Sequence, residues 1–412
     1  MTRERASDPY RWVILALATL TNAIVVAAPG MALSVLFEEI QRDLNLTLVE
    51  VGFIWSISAL PGLFVSLLGG ALGDRFGPKR LILLVCLTAG VLGALRGWSA
   101  DFLSLVVLNS LLGGVLMLVP LSGFKACGMW FSRRQLGLAN GVLSIGMAGG
   151  FLVGSLVSAT WLSPWLGGWR NVLIFYGALS LALVVPWLLT RAAPPALTDG
   201  TSTTPATAPM FDALAAVSRL RSMWLLGLVL LGLSGCMQGT LGYLPLYLRG
   251  AGWEPAVADS ALALFHTVSL VFTLPIALGS DRLGSRKRVL LAALVAVVLG
   301  VGGVGFVTGS AVWAAVVLAG FVRDGFMAIY MTAVVEVEGV GPRYAGTATG
   351  FVMVFASLGN LLAPPIGNTL ADLGPGVPFW FWAGLALTAL VILTLVPERE
   401  RAQPVAAVAE PA

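Results

Sequence analysis

Charge is scarce in this chain: only 11% of its 412 residues are Asp, Glu, Lys or Arg, against about 25% in a soluble globular domain. Histidine occurs once, at His266, and cysteine three times, at Cys86, Cys127 and Cys236, each inside an apolar stretch and none in a C-x-x-C pair. That scarcity argues against a disulfide framework and a structural zinc site, and it leaves no His, Cys and acid set for a nucleophilic triad. No cofactor or metal is expected, and enzyme chemistry lacks the residues to perform it. What the chain does contain is apolar: 58% of positions, a mean hydropathy of +0.92 and 49 glycines.

Apolar runs of 18 or more residues recur along nearly the whole length, and a hydrocarbon layer about 30 Å thick takes roughly 20 residues of helix. The pattern predicts an all-α integral membrane protein with spans near 11–37, 48–73, 79–98, 101–131, 136–161 and 168–190, then 222–248, 256–280, 286–308, 310–336, 344–371 and 377–396. The first run is longer than the 7 to 15 apolar residues of a secretory signal, and more spans follow it, so it is expected to be retained. Six spans precede and six follow a Pro-, Thr- and Ala-rich stretch at 192–210 that cannot bury a core. The expected organisation is an N-terminal bundle at 1–191, a cytoplasmic linker at 192–221 ending in a short surface helix, a C-terminal bundle at 222–396 and a tail at 397–412. With the N-terminus in the cytoplasm, 19 of the 24 Lys and Arg fall on the cytoplasmic side. Arg42, Arg96, Arg170 and Arg249 fall outside, and Arg323 lies within a span. The positive-inside rule then puts both termini in the cytoplasm of a plasma membrane. The pI near 9.2 reflects that orientation and implies no nucleic acid; the lipid bilayer is the surrounding partner, and the chain is expected to be a monomer.

Four of the charges sit together in GALGDRFGPKR, residues 70–80, and Asp74-Arg75-Phe76-Gly77-Pro78-Lys79-Arg80 returns 207 residues later as Asp281-Arg282-Leu283-Gly284-Ser285-Arg286-Lys287. Each copy follows the second span of its half, and internal repetition of this kind is how many secondary carriers are built, with the solute site where the halves meet. Gly77 and Gly284 give permissive backbone to a short reversing loop. The first copy resembles the loop 2-3 signature of the major facilitator superfamily, with the weaker copy in loop 8-9 as in that family. The resemblance covers the whole chain and implies two pseudo-symmetric six-helix bundles around a central cavity that opens alternately to each side. It makes Gly70, Asp74, Arg75, Gly77, Lys79 and Arg80 a gating cluster that holds the bundles together on the cytoplasmic side. Asp281, Arg282, Gly284 and Arg286 form a second copy, weakened by Ala277 at the leading glycine position.

Two departures narrow the comparison. Drug-antiporter members carry a proline after a span 5 glycine, but Gly146 is followed by Met147. Many proton-coupled members carry an arginine in the outer part of span 4, where this chain has Asn109. WFSRRQLGLANG, residues 130–141, looks instead like the corresponding stretch of facilitators for small organic anions, including monocarboxylate porters. Gly146, Gly150, Gly154 and Ser158 in span 5, and Gly359, Ala363 and Gly367 in span 11, let helices approach closely; the resemblance adds sliding contacts between the bundles there.

Polar groups at mid-span mark the candidate site. Arg323 and Asp324 sit near the centre of span 10, where a charge costs about 2.5 to 3.5 kcal/mol on insertion scales, so they must face protein or a wet cavity. Neighbouring side chains on a helix point about 100° apart, which suggests Arg323 toward the cavity and Asp324 on a neighbouring helix. A structural ion pair is the alternative. His266 titrates in the right range for proton exchange, unless it is a hydrogen-bonded core residue. Gln238, Asn22 and Tyr330 either line a site or bridge helices, and Lys125 lies close enough to the cytoplasmic end to snorkel. Tyr243 and Tyr247 belong to the outer mouth or to the interfacial aromatic belt. The expectation is a proton-coupled transporter of a small organic anion, with Arg323, Gln238, Asn22, Tyr330 and Lys125 toward substrate and Asp324 and His266 toward coupling. The alternatives are an exporter of amphipathic or cationic compounds drawn by Asp324, and a non-transporting scaffold or intramembrane enzyme.

Overall fold

The structure, a computed structural model, describes residues 9–65, 77–191, 210–283, 285–321 and 323–397, and every regular element among them is helical. Twelve helices are long and apolar enough to cross a membrane. In the first half they are α1 (Tyr10–Leu44), α2 (Leu48–Val65), α3 (Pro78–Trp98), α4 (Phe102–Trp130), α5 (Gln135–Leu166) and α6 (Trp169–Leu189). In the second they are α7 (Arg221–Gly250), α8 (Pro255–Thr273), α9 (Arg286–Val304), α10 (Ala311–Val335), α11 (Tyr344–Leu373) and α12 (Val377–Leu395).

Local chemistry sets the helix ends. Helix α1 stops where Asn45 turns left-handed at φ 51°, a conformation that asparagine tolerates. Thr47 then opens α2 with a capping box: its hydroxyl accepts from the Glu50 amide, and the Glu50 carboxylate accepts from the Thr47 amide at 2.8 Å. Asp101 and Ser104 repeat the device at α4, and the bonds from Ser104 hold the exposed Asp101 carboxyl below its usual range. Gly77, at φ +72°, hands the chain to Pro78 at the start of α3, the combination of free φ and fixed φ that a sharp loop-to-helix turn requires.

Several spans are not uniform. A π-helical turn, Asn22–Ala27, interrupts α1, another, Ser158–Leu162, interrupts α5, and α4 is divided at Met117 into Phe102–Leu116 and Leu118–Trp130. Backbone irregularity at membrane depth is tolerated where protein or a cavity surrounds it, and the first of these turns begins at a residue already singled out, Asn22.

The small-residue stripes bind helices within each half. A Cβ on Gly150 would meet the Ala23 carbonyl at 2.5 Å and one on Gly154 the Ala28 carbonyl at 2.4 Å, both on α1. A Cβ on Gly359 would meet the Leu231 carbonyl of α7 at 2.2 Å. The expected sliding contacts between bundles are therefore not what these stripes make. They weld α5 to α1 and α11 to α7, mirror-related pairs inside each lobe.

The apolar core is divided unevenly. One cluster, with Ile14, Val85, Trp130 and Trp187, fills the terminal end of the first lobe alone. The other runs without a break from Leu36 and Trp55 through Leu230 and Leu244 to Trp382, joining both lobes at the end remote from the termini. Hydrogen bonds fasten the same end: Ser34 Oγ donates to the Leu241 carbonyl at 2.6 Å, Trp55 Nε1 to the Gln238 carbonyl at 2.8 Å, and Asn368 Nδ2 to the Leu48 carbonyl at 2.8 Å. The lobes are thus docked at the remote end.

The short helix Met210–Ser218, expected at the surface, buries Ala213 and Val217 and packs on α11. Tyr243 is buried and Tyr247 half-buried near the outer end of α7. Their hydroxyls donate to the Pro375 and Val304 carbonyls, and their rings pack against Phe379 of the second lobe, Tyr243 tilted and Tyr247 edge-on.

Candidate functional site

Arg323 of α10 lines a cavity of about 160 Å³ in the second lobe, together with residues of α7, α9 and α11. Ser234, Gln238 and Asn360 supply neutral polar groups, and Leu233, Met237, Leu241 and Phe326 supply the apolar wall. Arg323 is the one charged side chain among the lining residues. Its neighbour Asp324 stands 3.4 Å away, and both side chains keep solvent access, 24% for Arg323 and 37% for Asp324. The expected division, with Asp324 bonding another helix, is not seen for its carboxylate. Only its backbone amide reaches across, donating to Ser269 Oγ at 3.1 Å.

The other named residues do not gather there. His266 is buried, with Nε2 3.2 Å from Met31 Sδ and its ring stacked on Phe151 at 5.0 Å. Tyr330 is fully buried and donates to the Leu226 carbonyl at 2.6 Å, a bridge from α10 to α7. Asn22 lies buried in the other lobe with Nδ2 bonded to the Ala18 carbonyl at 3.2 Å and Oδ1 without a hydrogen-bond partner. Lys125 is half-buried on α4 and engaged. Asn360 was missed: one amide among the leucines and glycines of span 11 reads as a packing residue until α7 is placed opposite.

Of the gating cluster, Gly70, Asp74, Arg75 and Gly284 lie outside the described residues, as do the side chains of Asp281 and Arg282. The rest work within their own lobes. Lys79 Nζ donates to the Leu188 carbonyl at 3.0 Å and to that of Thr190, closing the last turn of α6. Lys287 does the same for α12, donating to the Thr394 and Val396 carbonyls at 2.8 and 2.6 Å. A cation on terminal helix carbonyls satisfies unpaired acceptors and the negative end of the dipole. Arg286 pairs with Glu336 after α10, and Arg80 is exposed. Among the described residues the interlobe hydrogen bonds lie at the opposite end, and these cations take part in none of them.

Two of the arginines expected on the outer side of the membrane have side chains enclosed by protein. Arg96, 3% exposed, donates from Nη1 to Asn109 Oδ1 at 2.9 Å, and Asn109 Nδ2 donates to the Ile54 carbonyl at 2.7 Å. A guanidinium from α3 therefore occupies the neighbourhood where the resemblance places an arginine of span 4. Arg249, at the end of α7, sits between Asp259 at 2.5 Å and Glu38 at 3.1 Å, while Thr160 Oγ1 donates to the other Asp259 oxygen at 3.2 Å. Glu38 and Thr160 belong to the first lobe, and Arg249 and Asp259 to the second. Asp259 had a sequence signal, an acid in the second turn of an apolar span, that went unused.

The family model described as Major Facilitator Superfamily matches residues 15–351 and 252–412. The probable sulfoacetate transporter SauU of Cupriavidus necator is 32% identical over 144 residues, 34% of this chain and 33% of that protein, so the match spans about a third of that relative's length. Human monocarboxylate transporter 11 is 27% identical over 417 residues, covering 90% of this chain and 80% of that one. The inward-facing, unoccupied structure of a bacterial homolog to the human lysosomal transporter Spinster superposes with a TM-score of 0.73 at 17% identity, over 95% of this chain and 96% of that one. Twelve spans, mirrored lobes and a full-length family match agree: the chain belongs to the Major Facilitator Superfamily and is a membrane transporter of small solutes, not an enzyme.

Proposed function

We propose that the protein carries a small organic anion across the plasma membrane by alternating access, with both termini in the cytoplasm and Arg323 as the anion-binding charge. One observation supports this above the rest: Arg323 is the lone cation lining an otherwise apolar and neutral-polar cavity, and its contact with Asp324 is long enough for a carboxylate to compete. Two of the relatives are named for organic anions, sulfoacetate and monocarboxylates. Proton symport accompanies the anion, and Asp324 is the better carrier, since it shares solvent with Arg323 while His266 is sealed between Phe151 and Phe265. The functional units are the lobes at 1–191 and 222–396, joined by the linker at 192–221, acting as a monomer.

The test is uptake of labelled lactate, benzoate and sulfoacetate into proteoliposomes under an imposed pH gradient. Accumulation is expected to vanish in Arg323→Ala and to return in part in Arg323→Lys. Asp324→Asn should retain anion exchange but lose accumulation driven by the gradient. Wild-type accumulation by Arg323→Ala would overturn the assignment, and export of cations lost first in Asp324→Asn would favour the opposite polarity.

A further inference from the structure

Arg323 does not stand in its cavity unsupported. Its guanidinium carbon lies 5.5 Å from the ring centroid of Phe151, a residue of α5 in the other lobe. Phe151 in turn stacks on His266 of α8, with 5.0 Å between centroids and 26° between planes. His266 Nε2 reaches Met31 Sδ of α1 at 3.2 Å. The four side chains form a ladder whose rungs alternate between lobes: Met31 from the first, His266 from the second, Phe151 from the first, Arg323 from the second. The charged groups on it are Arg323 and its neighbour Asp324, which lie together at one end.

We propose that Phe151 is a positioning residue for Arg323, one that holds the guanidinium by its face and thereby ties anion binding in the second lobe to docking of the first. Guanidinium donors radiate in the plane of the group, and carboxylates bind them edge-on. An aromatic ring attracts the same group through its face. The two contacts are therefore compatible, and the ring fixes the plane in which the anion must approach. Because Phe151 travels with α5, separating the lobes at this level removes the platform from Arg323. The anion then meets a different guanidinium in the two states, and a ligand shifts a conformational equilibrium only through such a difference in affinity. The ladder also gives His266 a place without protonation, as the aromatic spacer that seats Phe151.

This inference rests on the reading of Arg323 as the anion site, but its test needs no ligand. Val49 of the first lobe and Leu373 of the second are both exposed, next to Leu48 and five residues beyond Asn368, whose bond joins the lobes at the docked end. Spin labels on Val49→Cys and Leu373→Cys, in a chain with Cys86, Cys127 and Cys236 replaced by Ala, report docked and separated populations as short and long distances. Phe151→Leu is expected to lower the docked-to-separated ratio by roughly three- to thirty-fold, the range of a partly to fully desolvated cation–π contact, and Phe151→Trp to preserve it. Phe151→Met replaces the leucine variant if that one fails to fold. A purely packing role would give the same shift in an Arg323→Met background, whereas a role through the guanidinium makes the two changes non-additive. Equal shifts in both backgrounds, or none in either, overturn the positioning role. Anion uptake kept by Arg323→Ala sinks the transport assignment instead, so the two failures are distinct.

Discussion

Arg96 shows how little of one side chain's role its place in the chain reveals. Expected on the outer side of the membrane, it is buried at the end of α3, held by Asn109 of α4, which is itself tied to the Ile54 carbonyl of α2. Its Nε has no partner. The pairing makes Asn109 the group that compensates a buried charge, and a hydrogen bond to a charged group contributes about 1.5 to 3 kcal/mol. Asn109→Leu is accordingly expected to destabilise the first lobe by about that amount, read as a lower unfolding temperature in detergent. The double variant Arg96→Leu with Asn109→Leu should recover much of the loss, because it removes the stranded charge along with its partner. A double variant as unstable as Asn109→Leu alone would mean that shape, not charge, sets the cost.

At the scale of the helix, glycine spacing was legible and its meaning was not. Positions four apart on α5 and α11 announce close approach, but only the placement of α1 and α7 tells which surface is approached. The backbone distances make the point testable with a neighbour as control. Gly154→Val puts a Cβ against the Ala28 carbonyl, 2.4 Å away on backbone that cannot yield, whereas a Cβ on Gly149 meets nothing within 4 Å. Overpacking of this kind costs about 1 to 3 kcal/mol, so Gly154→Val should lower the unfolding temperature and Gly149→Val should leave it near wild type. The spans themselves were readable because burial in lipid demands long apolar runs, a local property of the sequence. The lysine caps were half readable: Lys79 and Lys287 stand out as a repeated pair, but the α6 and α12 carbonyls they close lie about a hundred residues along the chain. The Phe151 ladder left no trace, since nothing local marks a phenylalanine that will meet an arginine from the other lobe.

For the whole molecule, the decisive feature is which end of the two lobes is docked. At the remote end the core is continuous and the lobes share one cluster of charges, in which Glu38 of α1 accepts from Arg249 and Thr160 of α5 donates to Asp259. Arg249 and Asp259 both belong to the second lobe, so their bond survives when the lobes part. Within this cluster opening therefore breaks only the Glu38 and Thr160 contacts, which add to the interlobe bonds of Ser34, Trp55 and Asn368 in setting how readily the remote end opens. The Glu38 side chain is 26% exposed and that of Arg249 7%, which puts their pair at the upper end of what surface ion pairs contribute, about 1 kcal/mol. Ser34, buried on α1 against the Leu241 carbonyl, becomes accessible only when that end opens. In a chain with its native cysteines replaced, Ser34→Cys should react with an impermeant maleimide severalfold faster when Glu38→Gln is added, and faster again with Thr160→Val. Asp259→Asn should act differently, because it unpairs Arg249 inside its own lobe and lowers stability as well as changing the labelling rate. Labelling that ignores both Glu38 and Thr160 would transfer control of this end to the apolar contacts and backbone bonds of α2 with α11, leaving the charges as passengers.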